Sequence, residues 1–246
     1  MRSDHDPKQV QSAIRREALS FLAHGLLLPF GCLHSRPRPE RRRDQRTVVF
    51  VHGLAANRSG FLPLRAYLRL HGPRRQLAFN YRSAGSIERS ALALKRAIDA
   101  GIGGGRIDLV AHSLGGLVAR CYLQLLGGAR RVDRLITLGT PHHGTHAANF
   151  IPSGLVRQLL PESPFLQHLN AQSPPEGLEV TSIVAGRDLL IQPVASARCP
   201  FGESVLFDDF GHVELLFRPE VFAEVAARLR PGQRALEAGS PGLQPG

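Results

Sequence analysis

The residues best placed to do chemistry are Val110-Ala111-His112-Ser113-Leu114-Gly115-Gly116, between an apolar run and a helical pattern. Ile107 to Ala111 reads as a short buried strand bounded by Gly103-Gly104-Gly105. After Gly116, the apolar residues Leu117, Val118, Cys121, Tyr122 and Leu125 recur at helical spacing. A serine at such a strand–helix junction, with a small residue two positions before and after it, has the spacing of a nucleophile elbow. The turn is so tight that its flanks must be small, and the strained backbone lifts the hydroxyl above the sheet edge. The helix that starts there brings free N–H groups and the positive end of its dipole to a developing oxyanion. Ala111 stands where the strict pattern has glycine and keeps the requirement for a small side chain.

An oxyanion hole needs two convergent N–H donors about 3 Å from the charge. Val48-Val49-Phe50-Val51-His52-Gly53-Leu54 reads as a strand ending on His-Gly, so the amides of Leu54 and Leu114 are the expected donors. His52 and Gly53 then border the substrate. A general base and an acid that orients it complete such a site. Asp188 follows the apolar run Ile183-Val184-Ala185, and His212 lies in the glycine-flanked loop Phe210-Gly211-His212-Val213. These are read as the acid and the base. Asp208 and Asp209 are rival acids, placed awkwardly close to His212 in the chain. His142, His143 and His146 form a local cluster, but no acidic or cysteine partner sits at ligand spacing, so no metal and no cofactor is expected.

Strands are expected at 47–51, 76–81, 107–111, 134–138, 179–185 and 204–207. Helices are expected at 61–70, 86–102, 115–126 and 219–229. Alternation of this kind predicts an α/β fold, with a mostly parallel sheet of about six strands and helices on both faces. Phe150, Ile151, Leu155, Leu159, Leu160, Phe165 and Leu169 make residues 147–176 apolar at helical spacing. That insertion reads as a short lid over an acyl pocket, with Phe150, Leu155, Leu159 and Phe165 touching substrate, or more plainly as a helix covering the sheet.

The 246 residues fit one domain (46–230), preceded by a distinct segment (1–45) and followed by a Pro/Gly-rich tail (231–246). The net charge is +11, and of 31 basic residues only Lys8 and Lys95 are lysine. The arginines are scattered and aromatic residues make up only 6% of the chain, which argues against nucleic acid as a partner. Within residues 1–45, Ala18 to Leu28 is apolar and helical, ends at Pro29 and Gly31, and precedes the basic run Arg36 to Arg46. It is too short to span a membrane and carries no clean cleavage site. It reads either as a helix packed on the domain or as an interfacial helix whose basic neighbours meet anionic headgroups. A cytoplasmic location is expected, peripheral at the inner membrane in the second case, with secretion left open. Cys32, Cys121 and Cys199 form no framework, and a Cys32–Cys199 bridge has no support beyond its feasibility.

Taken together, Val51-His52-Gly53, Ala111-His112-Ser113-Leu114-Gly115-Gly116, Gly139-Thr140-Pro141-His142-His143-Gly144-Thr145, Asp188 with Pro193 and Ser196, and Gly211-His212 with Leu215-Leu216 resemble the small bacterial lipases and esterases of the α/β-hydrolase fold. Pro161 to Leu166 with Leu169-Asn170 is similar to a further segment of lipase-like hydrolases. The resemblance runs from 47 to 229 in the expected order. It implies a carboxylic ester hydrolase that forms an acyl-enzyme on Ser113, with Asp188 and His212 completing the triad, acting on a lipid or other small ester. A thioesterase or amidase would share the triad, and a non-catalytic membrane-associated protein would share the fold.

Overall fold

The computed structural model describes residues 7–32 and 46–230, apart from 74, 79, 84, 103 and 104. Most of the expected basic run and the whole of the tail lie outside the described residues. Six strands, β1 (Thr47–Val51), β2 (Gln76–Ala78), β3 (Ile107–His112), β4 (Val132–Leu138), β5 (Glu179–Ala185) and β6 (Glu203–Phe207), build one sheet in the order β2-β1-β3-β4-β5-β6. Every neighbouring pair is parallel. Parallel pairing requires a crossover between strands, and helices α2 (Leu62–His71), α3 (Ile87–Ile102) and α4 (Leu114–Leu125) supply three of them. A short 3-10 turn (His146–Phe150) and the helices α5 (Gly154–Arg157) and α6 (Pro164–Asn170) bridge β4 to β5, and α7 (Pro219–Arg228) follows β6.

The apolar runs of β1 and β3 are continuous because both faces of the sheet are covered. Successive side chains point to opposite faces. Val49, Val51 and Leu109 pack against Leu94 and Ile98 of α3 and Leu117 and Cys121 of α4. Val48, Phe50 and Val110 pack against Leu64 and Leu68 of α2 and Val221 and Val225 of α7. Strand β2 stops at Ala78, three residues short of the expected limit, and β4 begins at Val132, two residues early. Cys32, Cys121 and Cys199 are unpaired.

Helix α1 (Pro7–Gly31) is longer than the expected apolar core, with Pro29 in its last turn. It packs on the domain through a narrow face that includes Ala13, Glu17 and Gly31. Its terminal carbonyls, which have no partner within the helix, accept from the domain: Asn57 Nδ2 donates to Leu28 O at 2.8 Å and Asn80 Nδ2 to Gly31 O at 2.7 Å. The opposite face shows Leu19, Leu22, Leu26 and Phe30 to solvent. Among the described residues no helix is long and apolar enough to cross a membrane.

At the amino end of β3, away from the ends that carry the chemistry, Asp108 is fully buried and its oxygens make no hydrogen bond. Burial pushes its carboxyl from 3.8 up to about 6, against the pull of the Arg46 and Arg134 guanidiniums 3.9 and 3.7 Å away. A folded-state value above the unfolded one gives stability below about pH 4 that is lost as pH rises through 6. Asp108→Asn should therefore gain on wild type by about 2 kcal/mol between pH 4 and pH 7. Denaturant unfolding of both proteins at the two pH values checks this, and a difference that does not change with pH refutes it.

Candidate active site

Strand β3 reverses into α4 at Ser113, whose φ of 54° is rare for a residue with a side chain. Neighbours hold it there. Ser113 N donates to Leu138 O at 2.9 Å, and Ser113 O accepts from Thr140 Oγ1 at 2.9 Å and Gly116 N at 3.0 Å. A Cβ on Gly115 would lie 2.3 Å from the Val51 carbonyl oxygen, and one on Gly116 would lie 2.1 Å from Thr140 Oγ1. The small residues thus let α4 start directly beneath the ends of β1 and β4. Gly53 approaches less closely, where a Cβ would meet Ser113 Cβ at 3.0 Å.

His212, in the loop after β6, directs Nδ1 at Asp188 Oδ2, 2.7 Å away, and both residues are buried. The other carboxylate oxygen of Asp188 accepts from the amides of Leu190 and Ile191 at 2.9 and 2.8 Å. With both oxygens committed, the acid is fixed in orientation and can fix the tautomer of its histidine. Gly139, at φ 54°, makes room: a Cβ there would sit 3.0 Å from His212 Nδ1 and 3.4 Å from Asp188 Oδ2. The rival acids stand elsewhere. Asp209 is exposed and pairs with Arg187 at 2.9 Å, and Asp208 is also exposed.

Ser113 and His212 open onto one cavity of about 380 Å³. Gly53 and Leu54 border its polar end; Ala148, Ile151, Val156 and Leu159 of the insertion form one wall. Phe21, His24 and Leu28 of α1 line it as well. Leu114 opens α4 immediately behind the serine.

Four of the expected substrate contacts, His52, Phe150, Leu155 and Phe165, are not among the residues that line this cavity. His52 does not line the cavity. It stacks on Tyr81 at 4.2 Å, donates from Nδ1 to Gly53 O at 3.0 Å and accepts from Tyr81 N at 3.3 Å. Burial lowers it to about 4, so the ring is neutral and shapes the Gly53 turn. Phe150 is 86% exposed, while its neighbour Ile151 faces the cavity. Leu155 and Phe165 belong to the core beneath, with Val156 on the cavity side. Helical spacing misassigns them because the insertion, interrupted by Pro152, Pro161 and Pro164, is three short pieces with no common face. His142, His143 and His146 do not converge. His142 is buried against Thr137 Oγ1 and Arg120, while the other two are exposed. Burial also holds His112 neutral, with Nε2 donating to His212 O at 3.3 Å.

The residue missed from sequence is Glu17. Its carboxylate accepts from Val213 N at 2.8 Å and Glu214 N at 3.0 Å. The available signal was a lone acid on the same helix face as Ala13, His24 and Leu28, which asks for a partner.

The profile of the palmitoyl protein thioesterase family matches residues 47–173, just over half of the chain. The chain belongs to this family. Among solved structures it is similar to a protein of Listeria innocua, the lin2722 gene product, at 15% identity and a TM-score of 0.60 over 77% of this chain and 96% of that one. It is similar also to lipase B of Aspergillus fumigatus, at 15% identity and a TM-score of 0.62 over 76% of this chain, which spans only 53% of that enzyme. The type II thioesterase BorB from the borrelidin biosynthetic cluster matches at 19% identity and a TM-score of 0.53, over 80% of this chain and 98% of that one. The fold is that of the α/β-hydrolases, and family membership places the chain among their ester and thioester hydrolases.

In Asp188→Asn, the amide oxygen is drawn to the Leu190 and Ile191 N–H groups, which turns the NH2 towards His212 Nδ1 and forces the wrong tautomer. Turnover should fall by about 10³–10⁴ with unfolding unchanged, whereas Asp209→Asn stays within about twofold. Steady-state kinetics of the two variants check the assignment, and it fails if their effects are reversed.

Proposed function

We propose that this chain is a serine hydrolase that takes an apolar acyl group from an ester onto Ser113 and releases it to water. The observation that carries the reading is a strained serine sharing one apolar cavity with a histidine held by a buried aspartate. Ser113 Oγ attacks the carbonyl carbon as His212 Nε2 takes its proton, and the oxyanion is held by the amides of Leu54 and Leu114. The imidazolium, stabilised by Asp188, returns that proton to the leaving alcohol. Water, deprotonated by the same nitrogen, then splits the acyl-enzyme and frees the acid. No step calls for a cofactor. The cavity's size falls within the usual small-molecule range of about 300–1,000 Å³, and its aliphatic walls favour a hydrocarbon chain over a polar acid. The family match favours a second reading in which the leaving group is a thiol rather than an alcohol.

The outer face of α1 supports an anionic membrane surface as the place where the substrate is met. Leu19, Leu22, Leu26 and Phe30 are exposed along it, and six arginines follow between positions 36 and 46. Under this reading the chain is peripheral, with α1 lying along the headgroups.

Hydrolysis of nitrophenyl esters from C2 to C16, alongside the matching acyl thioesters, should peak at medium or long chains and fall by at least about 10³-fold in Ser113→Ala. Activity that survives in Ser113→Ala refutes the mechanism. A folded wild type inactive on every ester and thioester points to an amide substrate or a non-catalytic role. Leu22→Glu with Leu26→Glu should abolish co-sedimentation with anionic vesicles. Undiminished binding by that variant, or none by wild type, refutes membrane docking through α1.

A further inference from the structure

Helix α1 reaches the site in a second way, through the backbone that carries His212. Glu17, buried on its packed face, takes the N–H groups of Val213 and Glu214, the two amides after the histidine. Next to it, Arg16 donates from Nε to Glu214 Oε1 at 3.1 Å and from Nη2 to Asp209 O at 2.8 Å. Glu214 Oε2 in turn accepts from Gly211 N at 2.9 Å. The loop is thus gripped on both sides of His212 by consecutive residues of one helix turn. The approach is close at Gly211, where a Cβ would fall 2.4 Å from Glu17 Oε2 and displace the carboxylate.

We propose that Glu17 is a positioning residue for His212: by bridging the Val213 and Glu214 amides it fixes the backbone from which the imidazole reaches Ser113, so that α1, already a wall of the acyl cavity, is part of the active site. The inference rests on the serine-hydrolase reading above. Chemistry explains why a carboxylate is needed. The two adjacent N–H donors each meet their own oxygen of the carboxylate, which presents no donor of its own. A glutamine amide would have to satisfy both through its one oxygen while keeping its NH2 away from them. Burial raises the Glu17 carboxyl above the usual range, against the pull of the hydrogen bonds from Val213 and Glu214. An acid that served only to anchor a helix could be replaced by an apolar residue at little cost to turnover. One that holds the base in register cannot, because displacements of about 1 Å at a reacting group cost up to about a hundredfold in rate.

The test uses Glu17→Gln and Glu17→Leu in the full chain, beside Ser113→Ala, on a nitrophenyl ester at the optimal chain length. Turnover is expressed per folded molecule, and Ser113 is separately labelled with a fluorophosphonate. Glu17→Gln keeps the shape and one acceptor oxygen, and sheds a charge that burial disfavours. It should lose about tenfold in kcat, with KM within about twofold and labelling slowed to match. Glu17→Leu, with neither acceptor, should lose about a hundredfold. Variants that melt earlier yet turn over and label at the wild-type rate would make Glu17 a helix anchor and overturn the inference, as would failure of Glu17→Gln to fold. If Ser113→Ala remains active, the mechanism itself falls. If it is dead while Glu17→Gln is normal, only the role of Glu17 falls.

Discussion

Ser113 holds a positive φ that costs a residue with a side chain about 1–3 kcal/mol, and the surrounding fold is arranged so that this cost is met. Its N–H is tied to the last residue of β4 and its carbonyl to Thr140, so the elbow is closed from the β4 side. On the β1 side the carbonyls of Val51 and His52 press against the bare Cα of Gly115. Any side chain at that point would lift α4 away from the sheet. The hydroxyl is therefore presented by a parallel sheet whose three central strands end around one residue, and the glycines are a consequence of that approach.

The same close packing sets the buried histidines apart from one another. His52, His112 and His142 are buried without a carboxylate partner, and burial lowers all three. Held neutral, each spends its nitrogens on structure: His52 shapes the Gly53 turn, His112 supports the His212 carbonyl, and His142 bridges Arg120 to Thr137. Among the described residues, His212 is the buried histidine with an acid against its ring, and that acid is fixed by two further amides. Positive charge arising on His212 during a reaction has a counter-charge waiting, which the other three lack.

How much of this was legible in the sequence follows the range of the interactions. The strands of the sheet and Ser113 could be read because the elbow is a local device, its strand, turn and helix lying within some twenty residues. Asp188 and His212 were readable for a related reason: each follows a strand, and the carboxyl ends of a parallel sheet converge. The insertion was misread at Phe150, Leu155 and Phe165 because periodicity assumes one continuous helix, and three prolines break that continuity. Glu17 stayed hidden because its partners lie almost two hundred residues away and are backbone amides, which leave no trace in residue type.

Helix α1 shows why such a contact matters for function. A helix this isolated from the sheet draws its stability from tertiary contacts more than from its own propensity, and its polar anchors are few. They fall at two places: Glu17 and Arg16 on the His212 loop, and the Leu28 and Gly31 carbonyls on Asn57 and Asn80, in the loops after β1 and β2. Between those anchors Phe21, His24 and Leu28 wall the cavity, while Leu22 and Leu26 face outward. Helix α1 therefore touches both the loop that carries His212 and the loop after β1, which includes Gly53 and Leu54. One helix thus contributes to the cavity lining, to the hydrogen bonding of the His212 loop and to an exposed apolar surface.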